Sequence, residues 1–344
     1  MNNSGVIEDP RSPYQKSLDY MVGAETPIKY EVLVEDGDWT PHMPIEKLQS
    51  IPFKFDTMAC THFLVMQAIE TQLNRMLPTL PESHRYFLAT NGYLVGNKVS
   101  LSPRFSAITG GNTILGNYFQ KVWDTSRKVG VIPDIDLPFG GTSWSEYHDP
   151  TIITKDMEKK AARFLEFFEI KYDFIGYDQV KGFSEDEVRA TDILIKQCPI
   201  SIGVPIPINH AILMLRHYGQ KYDSFDHYTP CHRIDDPRGV GLAMRGVVTI
   251  KEQPVIKKPT HFFAVDLAFG DKGVEVAQLQ LALIFLGFLK PGLDTGYFGP
   301  ITKAAVIKLQ ESRPVEILKK AGITHGTGLV RSVTRAYLNS LFQK

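Results

Sequence analysis

Three residues of types that carry nucleophilic catalysis occur in order along the chain: Cys60, His210 and Asp226. The residues after Cys60 recur at helical spacing, which predicts that the cysteine lies in the first turn of a long, largely buried helix. A helix N-terminus and a neighbouring imidazolium both lower the pKa of a thiol, and the thiolate is the form that attacks a peptide carbonyl. The pattern therefore predicts a thiol nucleophile.

His210 begins an apolar run typical of a strand, and Asp226 lies 16 positions later. A third group at that distance can sit on a paired strand and orient the imidazole ring. Taken singly, Cys60 is most simply a small buried residue and His210 a structural histidine. The prediction of catalysis therefore depends on the three residues together.

Periodicity predicts the elements that would position these residues. A helix beginning near Cys60, with Asp56 and Thr57 as N-cap candidates, is predicted from the apolar positions Phe63, Leu64, Met66, Ala68, Ile69, Leu73, Met76 and Leu77. Two further helices are expected over 115–128 and 157–168, and strands over 202–208, 211–216, 222–225 and 247–251. A helical first half and a strand-rich second half predict the α+β class.

The segment Cys60-Thr61-His62-Phe63, with His210-Ala211 opening a strand 150 positions after the cysteine, resembles the papain-like cysteine peptidases. The resemblance covers roughly residues 46–250 and implies a papain-like fold of two subdomains over the domain 46–255. It also implies Cys60 as nucleophile, His210 as base and Asp226 as orienting residue, with no metal or organic cofactor. Candidate substrate-binding residues are Gly110, Gly111 and Asn209, although Gly110-Gly111-Asn112 is most simply a turn.

The sequence departs from the family pattern at two places. The oxyanion-hole glutamine of the family lies six residues before the cysteine, where this chain has Lys54. Gln49 is the nearest glutamine upstream, and a local insertion would have to bring it to the site. Asp226-His227-Tyr228 stands where the family has Asn-Ser-Trp, and a carboxylate can also accept the ring N–H.

The C-terminal region is compositionally separate. It follows an expected linker, 256–265, and covers 266–344. Glycines and apolar residues from Gly270 to Gln310 are similar in register to the bacterial peptidoglycan-binding domain of three helices. The resemblance implies ligand contacts near the turn before a helix, with candidates Asp294, Thr295, Tyr297, Phe298 and Thr302. The segment 295–304 is echoed 32 positions later at 327–336, which predicts a repeated turn and helix.

Composition disfavours several classes of function. Lys plus Arg and Asp plus Glu both number 38, so no net charge indicates a nucleic-acid partner. No uncharged apolar stretch approaches the ~20 residues of a membrane span, and the first residues lack the apolar core of a signal peptide. We therefore expect synthesis in the cytoplasm, and we interpret residues 1–45 as an N-terminal arm that could serve as a propeptide. The three cysteines form neither a disulfide framework nor a zinc signature, and the spacing of His227, Cys231 and His232 favours a loop.

Together these features predict a cysteine endopeptidase that acts at the bacterial cell wall, with peptidoglycan and a peptide or protein substrate as partners. Because no export signal is visible, a phage lysin that cuts peptidoglycan stem peptides and is released by other means, or a virion component, would explain both halves of the chain. Two alternatives remain open: a wall-anchored peptidase that acts on proteins, and a non-catalytic wall-binding protein that keeps the peptidase fold.

Overall fold

The computed structural model describes residues 28–342 except 52–53, 178–183, 205–209, 219–220, 253–257 and 291. The chain forms two compact units: Met1–Thr79 with Gly92–Lys251, and Leu80–Asn91 with Glu252–Lys344. The predicted domain 46–255 is continuous in sequence, whereas the structure groups Leu80–Asn91 with the C-terminal unit. Most of the predicted N-terminal arm and part of the predicted linker lie outside the described residues.

Helices and strands are numbered here along the described residues. The α-helices are α1 (Cys60–Met76), α2 (Glu82–Thr90), α3 (Pro103–Thr109), α4 (Phe119–Val129), α5 (Trp144–Tyr147), α6 (Lys155–Phe167), α7 (Glu185–Leu194), α8 (Val274–Phe285), α9 (Pro300–Glu311) and α10 (Ser332–Phe342). The strands are β1 (Ser50–Ile51), β2 (Phe55–Asp56), β3 (Leu94–Val95), β4 (Lys98–Val99), β5 (Phe168–Tyr177), β6 (Ile200–Val204), β7 (His210–Tyr218), β8 (Lys221–Phe225), β9 (His232–Arg233) and β10 (Leu242–Ile250).

The first unit is built on an antiparallel sheet of six strands in the order β5-β10-β6-β7-β8-β9. His210 pairs with Val204 across β6 and β7, and Leu213 pairs with Phe225 across β7 and β8. Because β7 and β8 are antiparallel, the start of β7 lies beside the end of β8. This geometry brings His210 next to Asp226, which follows β8 directly.

Helix α1 packs against β7 and β10 and is buried along almost its whole length. Its apolar residues, among them Phe63, Val65 and Ile69, lie on more than one side of the helix, so α1 is stable only where other elements cover it. The buried Gln72 ties the helix to the sheet: its amide donates to the Gly246 carbonyl at 2.9 Å and accepts from the Val248 N–H at 3.0 Å. The position of Cys60 is thereby fixed relative to the strands.

The second unit contains α2, α8, α9, α10 and a π-helical segment, Pro314–Lys319. The three helices predicted for this region are present, whereas the sequence analysis did not predict the π-helical segment. A separate apolar core holds these helices together and includes Leu279, Leu283, Phe298, Val306, Leu309 and Leu338. Tyr86 of α2 packs against this core, which is why Leu80–Asn91 belongs to the unit.

The repeat expected from the sequence is present as a repeated hydrogen-bond pattern. The buried Gln280 amide donates to the Tyr297 carbonyl and to Thr302 Oγ1, each at 2.9 Å, and accepts from the Gly296 N–H. Gln310 makes the same bonds in the second copy, donating to the Leu329 carbonyl at 2.7 Å and to Thr334 Oγ1 at 3.1 Å. In each copy a glutamine on one helix holds the turn that begins the next helix.

The α+β class predicted from the sequence is confirmed, with helices concentrated before β5 and a strand-rich segment after it. Strand β5 was not predicted because it follows α6 without an intervening turn. Among the helices that the structure describes, none has both the length and the apolar character that a membrane span requires.

Candidate active site

Helix α1 begins at Cys60, as the sequence predicts, but its N-terminus is built differently. The N-cap residue is Ala59, so the prediction of Asp56 or Thr57 as the cap is wrong. Asp56 Oδ1 instead accepts from the Met58 N–H at 2.7 Å, and Met58 has a φ of 56°. This left-handed conformation is costly for a residue other than glycine and is typical of functional sites. The turn directs the chain into α1 so that Cys60 occupies the first helical position.

The structure brings His210 and Asp226 together with Cys60. His210 Nε2 lies 2.8 Å from Asp226 Oδ1, and both side chains are buried. Cys60 Sγ lies within 4.8 Å of a ring nitrogen of His210. His210 Nδ1 has no hydrogen-bond partner among the described residues. One ring nitrogen of His210 is therefore held by the carboxylate, and the other ring nitrogen is available to the thiol.

The electrostatic environment keeps Asp226 ionised. Burial alone would raise the pKa of Asp226, but the hydrogen bond from His210 and the positive groups around it outweigh burial and hold the pKa below its ordinary value. Arg238 Nη1 donates to Asp226 Oδ2 at 2.9 Å, and Arg238 is itself held by Asp236 at 2.5 Å. The sequence analysis missed Arg238 and Asp236, because nothing in the spacing of the Asp236-Pro237-Arg238 turn indicates a link to the site.

The thiol of Cys60 does not have the lowered pKa that the sequence analysis expected. Complete burial raises the pKa of Cys60, the charge of Asp56 acts in the same direction, and a backbone hydrogen bond from Ala211 only partly opposes them. The helix N-terminus therefore does not offset desolvation in this conformation. Burial therefore favours the thiol over the thiolate at Cys60.

Gln49 lies beside this group of residues, as the local insertion hypothesis requires. The β1–β2 hairpin loops out the intervening residues, so that the Thr57 N–H donates to the Gln49 carbonyl at 3.1 Å. The Gln49 amide donates to Asp56 Oδ1 at 2.9 Å and to the Tyr228 hydroxyl at 2.5 Å. The ring of Tyr228 is 5.1 Å from that of His210. The chain thus brings a glutamine from 11 positions upstream of Cys60 (60 minus 49) into contact with Tyr228, whose ring lies beside His210.

The candidate substrate-binding residues have different environments. Gly110 is buried, and a Cβ at this position would lie 2.6 Å from a ring carbon of His62. Gly111 is exposed in a left-handed turn with a φ of 63°. The next residue, Asn112, donates its amide to the carbonyls of Thr57 and Met58 at 3.2 and 3.3 Å, so this turn borders the segment leading to Cys60. Asn209 lies outside the described residues.

His227 is a further member of the site. Its ring is fully buried, 4.7 Å from the ring of His210 and 5.5 Å from that of Phe63. Both of its ring nitrogens lack a hydrogen-bond partner within the part of the chain that the structure describes. Burial holds the pKa of His227 well below its ordinary value, so the ring is neutral. Atoms of Cys60, His210 and His227 that could ligate a metal all lie within 4.8 Å of one another, an arrangement that the sequence analysis did not predict.

The candidate wall-binding residues divide into two groups by burial. Asp294, Thr295 and Tyr297 are exposed, and Lys272 Nζ lies 5.5 Å from the centre of the Tyr297 ring. Phe298 and Thr302 are buried, and Thr302 Oγ1 accepts from Gln280 to hold the turn in place; their contact with ligand stays a prediction. A groove of about 420 Å³ on the same unit has a different lining, formed by Glu316, Lys320, Ser332, Val333, Ala336, Tyr337 and Ser340.

Comparison with known proteins identifies the C-terminal region. Residues 272–313 match the family model described as "Putative peptidoglycan binding domain". Comparison with curated proteins gives no significant match.

Among solved structures, the chain is similar to digestive procathepsin L 3 of Tenebrio molitor larval midgut, at 13% identity and a TM-score of 0.39, covering 71% of this chain and 76% of that one. It is also similar to xylellain, a cysteine protease from Xylella fastidiosa, at 14% identity and a TM-score of 0.40, covering 73% and 97%. At such values an activity cannot be transferred, and the chemistry of the site follows from its own geometry.

Proposed function

We propose that the protein is a cysteine peptidase that acts on peptidoglycan stem peptides at the bacterial cell wall. The observation that carries this proposal is the arrangement of Cys60, at the first position of a buried helix, within 4.8 Å of a histidine that Asp226 orients at 2.8 Å. A nucleophile, a base within reach and a third group that holds the base are the components of covalent acyl transfer.

In this mechanism His210 removes the proton from Cys60 as the sulfur attacks the peptide carbonyl carbon. The C–N bond of the resulting tetrahedral species breaks, His210 returns the proton to the leaving amine, and a thioester to Cys60 remains. Water then attacks the thioester with His210 again acting as base, and cleavage of the C–S bond releases the acid and the free thiol. A neutral thiol with an oriented imidazole is the correct starting state for this sequence.

The oxyanion needs donors that point to the same place. The Cys60 N–H precedes the first bond of the helix, which His62 donates to the Ala59 carbonyl at 2.8 Å, and it is one source. The Gln49 amide is the second candidate; its two N–H groups donate to Asp56 and Tyr228, so one of these bonds has to break before the amide can donate to the oxyanion. Cys60 is fully buried and His210 is 2% exposed, so a substrate has to displace neighbouring side chains before it can react.

The C-terminal unit supports the choice of peptidoglycan as the substrate class. Its match to a peptidoglycan-binding model over 272–313 and its exposed Tyr297 support attachment to the wall. Attachment raises the effective concentration of the peptidase at wall-linked peptides without any added contact at the active site. Release by a phage at lysis would bring such an enzyme to the wall.

The test compares purified sacculi with casein as substrates for the full chain and for Cys60→Ala. We expect release of new amino groups from sacculi by the native chain and none by the variant. Cleavage of casein alone would favour a wall-anchored peptidase acting on proteins.

The burial of Cys60 favours one rival, a wall-binding protein that does not turn over. An epoxide thiol trap separates the two, because only a site that opens will be alkylated at Cys60. If the trap leaves Cys60 unmodified and neither substrate is cleaved, the peptidase proposal is wrong.

A further inference from the structure

We propose that Cys60, His210 and His227 bind a thiophilic divalent cation, Zn²⁺, which closes off the thiol in a reversible way. The inference starts from three buried side chains whose ligand atoms lie within 4.8 Å of one another. In a tetrahedral zinc site, Zn–S and Zn–N bonds of about 2.3 and 2.0–2.1 Å hold the ligand atoms roughly 3.3–3.7 Å apart. Shifts of about 1 Å would close the described cluster around an ion.

The histidine nitrogens are free to act as ligands. Nε2 of His210 is held by Asp226, while its Nδ1 and both nitrogens of His227 have no hydrogen-bond partner in the described chain. Buried polar atoms are normally paired, so unpaired ones that converge on a thiol need an explanation. A metal ion would use the lone pairs of both rings at once.

Asp226 supplies the outer support that metal-bound histidines usually have. A ligating histidine commonly donates its other ring N–H to a carboxylate, which fixes the ring and makes the free nitrogen a better ligand. Asp226 already makes this bond to His210, and its second oxygen is held by Arg238 at 2.9 Å. The carboxylate would partly balance a cation beside the thiolate.

The ligand set determines which ions fit. One thiolate and two imidazoles suit Zn²⁺, whereas Mg²⁺ and Ca²⁺ prefer oxygen ligands. Three protein ligands leave a fourth position for water. With the ion bound, the Cys60 sulfur is coordinated and the His210 nitrogen that faces it is occupied, so both alkylation and nucleophilic attack would be blocked.

The experiment titrates the full chain with Zn²⁺ in competition with a chromophoric chelator. We expect one ion per chain with a dissociation constant below the micromolar range, and no binding of Mg²⁺. Cys60→Ala and His227→Gln should each weaken binding by about 100-fold or more. The matched controls, Cys198→Ala at another buried cysteine and His232→Gln on β9, should bind as the native chain does.

A second measurement on the native chain covers the case in which His227→Gln does not fold. Co²⁺ in place of Zn²⁺ should give a thiolate-to-cobalt absorption band in the near ultraviolet, and Zn²⁺ should protect Cys60 from iodoacetamide. Equal affinity in Cys60→Ala, or a cobalt spectrum with no thiolate band, would overturn the proposal.

The inference rests on the geometry of the three side chains and does not require the peptidase proposal. A chain that binds zinc at Cys60 yet cleaves no peptide would retain this site and lose the proposed function. A chain that cleaves peptides and binds no zinc would keep the proposed function and rule out the zinc site.

Discussion

The Arg238 guanidinium donates to one oxygen of Asp226 at 2.9 Å, while the other oxygen accepts from His210 at 2.8 Å. One carboxylate therefore joins a partly buried cation to the proposed catalytic base. Arg238 acts on His210 through Asp226. It is a positioning residue, and its effect on activity should be distinguishable from that of a residue that contacts substrate.

The first prediction concerns Arg238→Gln. We expect kcat to fall by about tenfold or more with little change in KM, because removal of the guanidinium lets Asp226 turn away from His210. Arg233→Gln is the control, since Arg233 Nε is 3.7 Å from the same Asp226 oxygen and makes only a loose ion pair. Steady-state kinetics over a range of pH would measure both variants. Equal losses in the two would contradict the positioning role.

The second prediction concerns Gln49→Ala. If its amide stabilises the oxyanion, kcat of the folded variant should fall by about 10²–10³-fold. Loss of its bonds to Asp56 and Tyr228 should also lower the free energy of unfolding by about 1–3 kcal/mol. Gln67→Ala provides a control, since Gln67 is a buried glutamine on α1 without a role in the proposed reaction. If the Gln49 variant retains full activity, the backbone N–H alone donates to the oxyanion.

The third prediction is a pH dependence of stability. Burial alone would raise the pKa of Asp236, but hydrogen bonds from Arg238 and Ser224 outweigh it and lower the pKa. A lowered folded-state pKa means that the carboxylate stabilises the fold above the unfolded value of about 3.9, and that this contribution is lost as pH falls through the folded value. Asp236→Asn should therefore reduce the free energy of unfolding by about 2 kcal/mol at pH 7.

Urea titrations of native and Asp236→Asn chains at pH 7 and pH 3 would measure this effect. We expect the difference in free energy of unfolding between the native and Asp236→Asn chains to be smaller at pH 3 than at pH 7. A difference of the same size at both values would show that Asp236 acts through shape and not through charge.

The fourth prediction concerns wall attachment. Tyr297 is 41% exposed and Lys272 lies over its ring, so Tyr297→Ala should reduce co-sedimentation with purified sacculi several-fold in the Cys60→Ala background, where no substrate is consumed. Val315→Ala, at an apolar side chain 63% exposed elsewhere on the unit, is the matched control. If the two variants sediment alike, attachment uses another surface, of which the groove beside Tyr337 is the first to test.

The fifth prediction concerns the repeated glutamines. Gln310 holds a buried turn through bonds to Leu329, Thr334, Thr327 and Gly328. Gln310→Ala leaves buried backbone groups without partners and should cost about 1–3 kcal/mol. Gln280→Ala should cost a similar amount, because it serves the equivalent turn. Calorimetry of the full chain would measure both losses of stability. A Gln310 variant with unchanged stability would show that the second copy of the repeat does not depend on the hydrogen bonds of Gln310.

The sequence by itself determined the local features of the protein. Apolar spacing predicted helix α1 with Cys60 at its start, and a continuous apolar run predicted the strand that begins at His210, because the pattern of apolar residues records which faces are buried. The α+β class followed from the order of these elements. The repeat in the C-terminal unit was also predicted from the sequence, since residues 295–304 and 327–336 share the same pattern of turn and helix residues.

Tertiary structure decided which distant groups meet and how water is excluded from them. The bond between Arg238 and Asp226 and the convergence of His227 on Cys60 depend on loops that follow β8, and loop paths leave no period in a sequence. The pKa of Cys60 was expected to fall because a helix N-terminus is a local property. It rises because desolvation depends on every element that covers the thiol, and only the folded chain determines that cover.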